Sequence, residues 1–429
     1  MPRGQKRVEV ENTILSSPSQ DNAAHRFPEG LLDGPTQARI HYFDKMVAVA
    51  HPRQTEAFDK LMAAIRQPSG FNVVFLVGPT GAGKTTILHK VQRTLLEELA
   101  DILDRNRGML PFCCAEAVAP TSGRYDWALL FKDLLKDGGE LLIDRKIAAD
   151  RGSDDPPRGH VTILHLPSRP NSDDLRDAFI SMLVYRKPRF VGVDEGQHML
   201  KIGSGRRTED QPDCIKSLAN RSGTLFVVMG TYDLLPMRKL NDQLSRRTLT
   251  IELPRYYKAV EADVKAFQRC LVTFEERLPV ANRPDLLGHW EYLFDYSVGC
   301  IGTLKDWLVR ALTLALSEID GGDVGGGKDG SAPAAGVQTV TRAHLEKTAL
   351  PLDDCHNIAQ KARFGEAQLA ENPHHVTELQ TYVNERGQFE PLTIDPSAVL
   401  MPPATRGTRR RVGDRNPTRD PIGGSRDAG

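Results

Sequence analysis

Residues 71–86 read Phe-Asn-Val-Val-Phe-Leu-Val-Gly-Pro-Thr-Gly-Ala-Gly-Lys-Thr-Thr, and this stretch decides the fold. Its first half, Phe71 to Val77, is a short apolar run rich in β-branched residues, which predicts a strand buried on both faces. Its second half, Gly78 to Thr85, matches the pattern G-x-x-x-x-G-K-[ST] in full. Apolar residues at helical spacing continue from Thr85 to Leu103. Strand, glycine-rich loop and helix in this order predict a phosphate-binding loop.

The predicted loop has the chemistry to hold a nucleoside triphosphate with Mg2+. Its glycines let successive backbone N–H groups turn inward, and the start of the following helix adds its positive dipole end. Lys84 would place its ammonium on the β- and γ-phosphates, and the Thr85 hydroxyl would ligate Mg2+. We therefore predict ATP and Mg2+ as cofactors. The predicted nucleotide-binding residues of the loop are Gly78, Pro79, Thr80, Gly81, Ala82, Gly83, Lys84, Thr85 and Thr86.

A second apolar run ends in two acids, Phe190-Val-Gly-Val-Asp194-Glu195. Parallel sheets bind ligands at the carboxyl ends of their strands, so we expect this end to lie beside the end of the Val73–Val77 strand. Asp194 would then bind Mg2+ at the nucleotide, and Glu195 would orient and deprotonate the attacking water. The alternative is two acids on an exposed loop, which the uncharged residues before them disfavour.

Three further groups are candidates for the same site. Thr231 follows a predicted strand, where a polar side chain can hydrogen-bond the attacking water or the γ-phosphate. Arg246 and Arg247 precede the fifth predicted strand, where an arginine of oligomeric ATPases crosses to the neighbouring subunit's γ-phosphate. Lys305, one turn into a helix that begins near Gly302, could reach back to the nucleotide. A turn-forming threonine or a solvated basic side chain is the alternative for each.

The order of elements predicts an α/β fold of the P-loop NTPase class, with a mainly parallel five-stranded sheet followed by an all-helical lid. Strands expected near 71–77, 109–118, 189–194, 224–229 and 248–253 alternate with helices, and the pattern after Arg255 is helical. The predicted divisions are a flexible amino-terminal arm (1–34), amino-terminal helices (35–70), the ATPase domain (71–256), the lid (257–318), a Gly-rich linker (319–337), a carboxyl-terminal segment (338–401) and a basic disordered tail (402–429).

Composition and charge exclude little but set some limits. Lys+Arg and Asp+Glu both number 56, so affinity for nucleic acid would have to come from local patches. We find no run of about 18 apolar residues and no apolar leader segment, which predicts a cytoplasmic protein that does not span a membrane. The six cysteines lack metal-ligand spacing and are expected to be buried thiols.

The phosphate loop, the Asp-Glu pair, the polar strand end, the paired arginines and the helical lid together resemble the AAA+ superfamily. The loop and the Asp-Glu pair are general to that superfamily. Over about Phe43 to Ala315 the chain also resembles the ATPase subunits of bacterial transposons, of the TniB/TnsC type. The phrases similar to this transposon group are VGPTGAGKTT (77–86), VDEGQHML (193–200), MGTYDLL (229–235), QLSRRT (243–248), LPRY (253–256) and GCIGTLKDWLVRAL (299–312). Within them, GQH, GTYDLL, QLSRR and GCIGTLKDWL are the parts that point to the transposon group.

The resemblance implies a regulator of DNA transposition. Such ATPases assemble on duplex DNA when ATP is bound, mark the target site, recruit and activate the transposase, and leave after hydrolysis. The implied partners are duplex DNA, a transposase with other transposition proteins, and further copies of the chain in a ring or helical filament. By this likeness the nucleotide cycle is carried by Gly78–Thr85, Asp194, Glu195, Thr231 and Arg246/Arg247.

Binding to duplex DNA of any sequence requires Lys and Arg side chains that face phosphates. Arg124 lies in a loop after the second predicted strand, and Lys201, Arg206 and Arg207 lie in a loop that contains glycines. The run Arg409–Arg411 in the tail could contact DNA or a protein. A solvated surface is the alternative for each. Because the net charge is zero, we expect one subunit to bind weakly and many subunits on one duplex to bind tightly.

Two other functions remain open at this point. An AAA+ replication initiator or helicase loader would share the same core, and DNA melting or a helicase partner would identify it. A signalling NTPase that binds no DNA would show no ATP-dependent affinity for a duplex. A small-molecule kinase is disfavoured because Asp194-Glu195 and the paired arginines would then have no purpose.

Overall fold

A computed structural model of the protein describes most of the chain between residues 27 and 369. The described residues are 27–120, 125–145, 171–200, 210–239, 247–322 and 339–369, together with 381–383 and 389–391. Some residues that the sequence singles out fall outside these ranges and remain predictions. They are Arg124, Lys201, Arg206, Arg207, Arg246 and the run Arg409–Arg411.

Five strands pair in parallel to form one sheet, which confirms the predicted α/β class. Every residue of β1 and β4 is buried, as expected for central strands that helices cover on both faces. The order across the sheet is β2-β3-β4-β1-β5. The strands are β1 (Val73–Val77), β2 (Phe112–Glu116), β3 (Phe190–Asp194), β4 (Leu225–Gly230) and β5 (Thr248–Glu252).

This order places β4 between β1 and β3, so the expectation that β3 ends beside β1 is wrong. β1 pairs with β4 on one side and with β5 on the other, which occupies both of its hydrogen-bonding edges. β3 pairs with β2 and β4 instead. The carboxyl ends of β1 and β3 are therefore two strand spacings apart, about 10 Å. The loop after β1 has to cross the end of β4 to meet the acids after β3.

Helices cover both faces of the sheet because successive residues of a strand point to opposite sides. In β1, Val74 and Leu76 face one core, and the other three residues face a second. The first core is completed by α2 (Pro52–Arg66) and α3 (Lys84–Arg105). The second is completed by α4 (Trp127–Asp137), α5 (Ser172–Arg186) and α6 (Asp210–Ser222). Two shorter helices are α1 (Thr36–His41) and α7 (Leu235–Lys239).

The chain after β5 is helical, as the pattern predicted. The lid comprises α8 (Glu261–Arg277), α9 (Trp290–Tyr296) and α10 (Ile301–Gly322), and α10 extends beyond residue 318, where the predicted lid ends. Phe43 and Val47, which precede α2, are buried in the core of the lid. The amino-terminal segment thus packs on the lid, whereas α2 packs on the sheet. Within the described part of the chain, no helix has the length and apolarity to cross a membrane.

Two carboxyl-terminal helices follow, α11 (Arg342–Thr348) and α12 (Leu352–Leu369). α11 packs on the lid, where Trp307 Nε1 donates to the Leu345 carbonyl oxygen at 3.0 Å. α12 returns to the ATPase domain, where Gly365 lies against the ring of Tyr232 so closely that a Cβ would collide with it. A separate unit, residues 376–429, contains an antiparallel pair, β6 (Thr381–Val383) and β7 (Phe389–Pro391).

A buried ion pair fastens α12 to the chain just after β5. Nε and Nη2 of Arg255 donate to the two carboxylate oxygens of Glu366, at 2.9 and 3.3 Å. The two side chains are only 4% and 2% exposed. The Arg255 guanidinium also lies over the ring of Tyr257, 5.0 Å from its centroid. A planar guanidinium with two donors on one carboxylate fixes the orientation of both partners.

Replacing Glu366 with alanine is expected to lower the free energy of unfolding by about 3 kcal/mol, because the Arg255 charge would stay buried without this carboxylate. Urea unfolding followed by tryptophan fluorescence measures the change. Glu346→Ala is the matched control, since Glu346 pairs with Arg342 on the exposed face of α11 and is expected to contribute less than about 1 kcal/mol. Equal stability of the two variants would contradict the prediction.

Candidate nucleotide site

The loop after β1 needs its glycines, two of them because no side chain fits and two because of a positive φ. At Gly78, a Cβ would collide with the carbonyl oxygen of Leu253. Gly81 has a φ of +75°, and a Cβ there would collide with the Thr303 hydroxyl. Gly83 has a φ of +100° and immediately precedes α3. These conformations let the backbone curl at the start of a helix, where N–H groups are available to phosphate oxygens.

Lys84, the first residue of α3, carries a buried ammonium inside this loop. Its Nζ donates to the carbonyl oxygens of Gly78 and Pro79, at 3.0 and 2.8 Å. Burial lowers the pKa of Lys84, and the nearby carboxylates of Glu195 and Asp194 act in the opposite direction. A buried ammonium requires partners of opposite charge. Its place within the curve of the loop suits the β- and γ-phosphates of a nucleotide.

Thr85 and Asp194 meet across the end of β4. The Thr85 hydroxyl donates to Asp194 Oδ2 at 2.7 Å, and the other carboxylate oxygen accepts from the Glu195 backbone N–H at 2.8 Å. A hydroxyl and a carboxylate suit Mg2+, which takes few protein ligands and completes its shell with water and phosphate oxygens. Among the described residues, no group of three or more His, Cys, Asp or Glu could hold a metal. The Thr85 hydroxyl and the Asp194 carboxylate fit an ion whose remaining ligands are phosphate oxygens and water.

A buried glutamine connects the predicted base to the end of β4. Gln197 Nε2 donates to Oε2 of Glu195, and Gln197 Oε1 accepts from the Thr231 backbone N–H at 3.1 Å. The Thr231 hydroxyl donates to Asp233 at 3.3 Å. Gln197 was absent from the predicted site. Its signal is the phrase GQH at 196–198, which contributed only to the resemblance.

The lid contacts the loop through backbone groups that were also absent from the predicted site. The N–H groups of Gly302 and Thr303 both donate to the Gly81 carbonyl oxygen, at 2.8 and 3.2 Å. Lys305 lies one turn further along α10, and its Nζ donates to the carbonyl oxygen of Asp44 at 2.6 Å. Burial lowers the pKa of Lys305. Its predicted contact with a nucleotide would require the ammonium to leave Asp44.

Arg247 lies at the amino ends of the strands, whereas the loop lies at their carboxyl ends. Its carbonyl oxygen accepts from the Asn72 N–H at 2.9 Å, and the next residue, Thr248, pairs with Val73 at the start of β1. Six residue steps along β1, from Asn72 beside Arg247 to Gly78, separate the Arg247 backbone from the loop by about 20 Å. The side chain of Arg247 is exposed. The predicted contact of Arg247 with a γ-phosphate would therefore require the site of another copy.

The sheet and the site define the class of protein. A glycine-rich loop, a buried lysine, a Thr85–Asp194 contact and an adjacent acid at the carboxyl edge of a parallel sheet are the parts of a P-loop nucleoside triphosphatase. In agreement, residues 66–238 match the protein-family model described as an AAA domain. The chain therefore contains an AAA-type P-loop ATPase domain with the AAA+ fold, which implies that it binds ATP or ADP.

Similar solved structures share little sequence with this chain. The Drosophila ORC bound to DNA is 15% identical, with 81% of this chain and 69% of that chain covered and a TM-score of 0.42. The ORC1 protein of Aeropyrum pernix in complex with DNA is 15% identical, covering 72% and 68%, with a TM-score of 0.45. A Walker-type ATPase of Pyrococcus abyssi is 14% identical, covering 76% and 78%, with a TM-score of 0.39. Likeness at this level says nothing about what this chain binds. No curated protein sequence matches it.

Proposed function

We propose that this chain is a Mg2+-dependent ATP hydrolase that assembles with further copies on duplex DNA and regulates transposition by recruiting and activating a transposase. The observation that supports it best is that the predicted site residues lie at opposite ends of the strands. The loop, Asp194 and Glu195 lie at the carboxyl ends of the strands, and Arg247 lies at their amino ends. Such a site is complete only where two copies meet head to tail, and contacts of that kind build rings or helical filaments.

In the proposed reaction, Lys84 and the loop N–H groups hold the β- and γ-phosphates. Thr85 and Asp194 would hold Mg2+, which neutralises charge on the phosphate oxygens when it is bound. Glu195 accepts a proton from the water whose oxygen attacks the γ-phosphorus, and the bond to the bridging oxygen breaks to release ADP and phosphate. Thr231 would orient the water or the γ-phosphate. An arginine of the neighbouring copy would stabilise the charge of the transition state.

The transposition part of the proposal depends on where the transposon-like phrases lie in the fold. The phrase at 193–200 contains Glu195 and Gln197, and the phrase at 229–235 contains Thr231. The phrase at 299–312 contains the two N–H groups that contact Gly81. Each of the three phrases thus has residues at the candidate nucleotide site. This supports a switch in which the state of the nucleotide controls assembly, as the resemblance implies.

The test is binding of a nonspecific DNA duplex, measured by fluorescence anisotropy with ATP, with ADP and without nucleotide. Glu195→Gln would prolong the ATP-bound state, and Lys84→Ala is the control that should bind in none of the three conditions. We expect tight, cooperative binding with ATP alone, and a tagged pull-down should then recover the transposase. Binding that ignores the nucleotide, or no binding, would favour the signalling alternative. Strand melting or a helicase partner would favour the loader.

A further inference from the structure

We propose that Gln197 is a positioning residue that aligns the Glu195 carboxylate and makes this alignment depend on the turn that begins at Thr231. The inference deepens the proposed ATP hydrolysis and rests on it. Gln197 would not touch the nucleotide itself. It would act through Glu195, on one side, and through the Thr231 backbone, on the other. The turn expected to sense the γ-phosphate would in this way control the proposed base.

The hydrogen bonds of Gln197 leave only one orientation for its amide. A backbone N–H can only donate, so the group of Gln197 that meets the Thr231 N–H must be the oxygen. The amide nitrogen must then face Glu195, where it donates to Oε2. A flip of the amide would place two donors against each other and two acceptors against each other. The positions of the Gln197 amide oxygen and nitrogen therefore follow from the hydrogen-bonding capacity of their partners.

The surroundings of Gln197 hold it in this place. The residue is 7% exposed and lies in a 3₁₀ turn, Gly196–Leu200, that follows β3. At Gly230 a Cβ would collide with the Gln197 side-chain oxygen, and at Gly196 a Cβ would collide with the Val228 side chain. The turn thus packs closely against the end of β4 at two glycines, Gly196 and Gly230. Loss of either hydrogen bond would leave a buried amide group without a partner. Because this costs free energy, both hydrogen bonds are favoured.

The backbone of Glu195 depends on the same turn. Its φ of +52° is in the left-handed region, which costs a residue with a Cβ on the order of 1 kcal/mol. The Glu195 carbonyl oxygen accepts from the His198 N–H at 3.0 Å, and His198 Nδ1 lies 2.8 Å from the Ala117 carbonyl oxygen just after β2. The strained residue is therefore held from two sides. The donor from Gln197 sets the plane of its carboxylate, which has further acceptor positions for a water.

Variants of Gln197 separate alignment from nucleotide binding. Gln197→Met keeps the volume and removes both hydrogen bonds, and Gln197→Glu keeps the acceptor for Thr231 but places a second carboxylate against Glu195. We expect kcat for ATP hydrolysis to fall by roughly 10- to 100-fold in both, since a base misplaced by about 1 Å loses about that much. KM and the dissociation constant for ADP should stay within about twofold, because the lost interaction acts only in the transition state.

Gln92→Met is the matched control, because it removes a partly buried glutamine amide from α3, beside Cys114 and away from the Glu195 carboxylate. Its kcat should stay within about twofold of the unmodified protein. Melting curves and ADP binding check that each variant folds. If Gln197→Met does not fold, Gln197→Glu carries the same test.

A double-substitution cycle distinguishes action through Glu195 from a general structural role. In a Glu195→Gln background, Gln197→Met should cause no further loss of single-turnover hydrolysis. Losses that multiply, or a kcat unchanged in both Gln197 variants, would overturn the inference. Failure of the proposed function is recognisable separately. In that case the unmodified protein would not hydrolyse ATP, or Glu195→Gln would hydrolyse it normally.

Discussion

Glu195→Gln is expected to slow ATP hydrolysis by about 10²- to 10⁴-fold while ATP still binds. The glutamine has nearly the same shape, and its oxygen can still accept the hydrogen bond from Gln197. It cannot accept a proton from the attacking water at neutral pH, so the chemical step loses its base. The loop, Lys84 and the Thr85–Asp194 contact remain intact. Phosphate release in a single turnover measures the loss, and titration with a fluorescent ATP analogue measures the affinity.

Glu116→Gln is the control for this prediction. Glu116 ends β2, directly opposite Asp194 in the register of the sheet, and its side chain is exposed. It therefore offers a carboxylate at the same level of the next strand, without the contacts to Gln197. We expect its hydrolysis rate to remain within about twofold. If Glu116→Gln were as slow as Glu195→Gln, the loss would reflect total charge at this edge and the assignment of Glu195 would be wrong.

Replacing both Arg246 and Arg247 with alanine is expected to lower kcat by about 10³-fold or more, the effect of removing an arginine that stabilises the charge of a transferring phosphoryl group. Both are changed together because either side chain could make the contact. The Arg247 backbone lies about 20 Å from the loop of its own chain. The affinity of an isolated chain for ATP should therefore be unchanged, and the loss should be confined to hydrolysis by assemblies.

Mixing two inactive proteins tests whether the arginine acts between copies. Lys84→Ala is expected to bind no ATP but still presents its arginines, and the Arg246→Ala/Arg247→Ala protein binds ATP but lacks them. A mixture forms some interfaces with one intact lysine and one intact arginine pair, and should recover hydrolysis that neither protein has alone. The recovered ATP hydrolysis should be lost when the mixture is diluted until the assembly dissociates. No recovery at any ratio would contradict a site shared between copies.

The strand, loop and helix at the centre of the fold are predictable because their signals are local. Phe71–Val77 is a continuous apolar run, the loop pattern follows at once, and helical spacing follows the loop. The observed elements, Val73–Val77 and Lys84–Arg105, agree with this pattern. The order of strands is not local. β1, β3 and β4 are all buried apolar runs, so nothing in their composition indicates which of them pair.

The candidate site also has a part that local sequence signals predict and a part that depends on contacts between distant elements. Lys84, Thr85, Asp194 and Glu195 could be predicted because each ends or follows a recognisable element. The contact of Gly81 with Gly302 and Thr303 joins distant parts of the sequence and depends on how the lid folds back. The bridge made by Gln197 depends on β4 lying next to β3, which was not foreseen. Hydrogen bonds between separate elements therefore require the topology first.

The contact of α12 with the Thr231–Tyr232 turn has a thermodynamic consequence. Tyr232 is buried under Gly365, while its neighbour Thr231 donates to Gln197, so one short segment serves both the helix and the proposed catalytic centre. Linkage is reciprocal: if a nucleotide alters the free energy of this segment, the docking of α12 must alter nucleotide affinity by the same amount. Typical coupling energies of about 1–3 kcal/mol correspond to roughly 5- to 150-fold. Under that condition, a partner that bound α12 and changed its docking would change nucleotide affinity without contacting the phosphates.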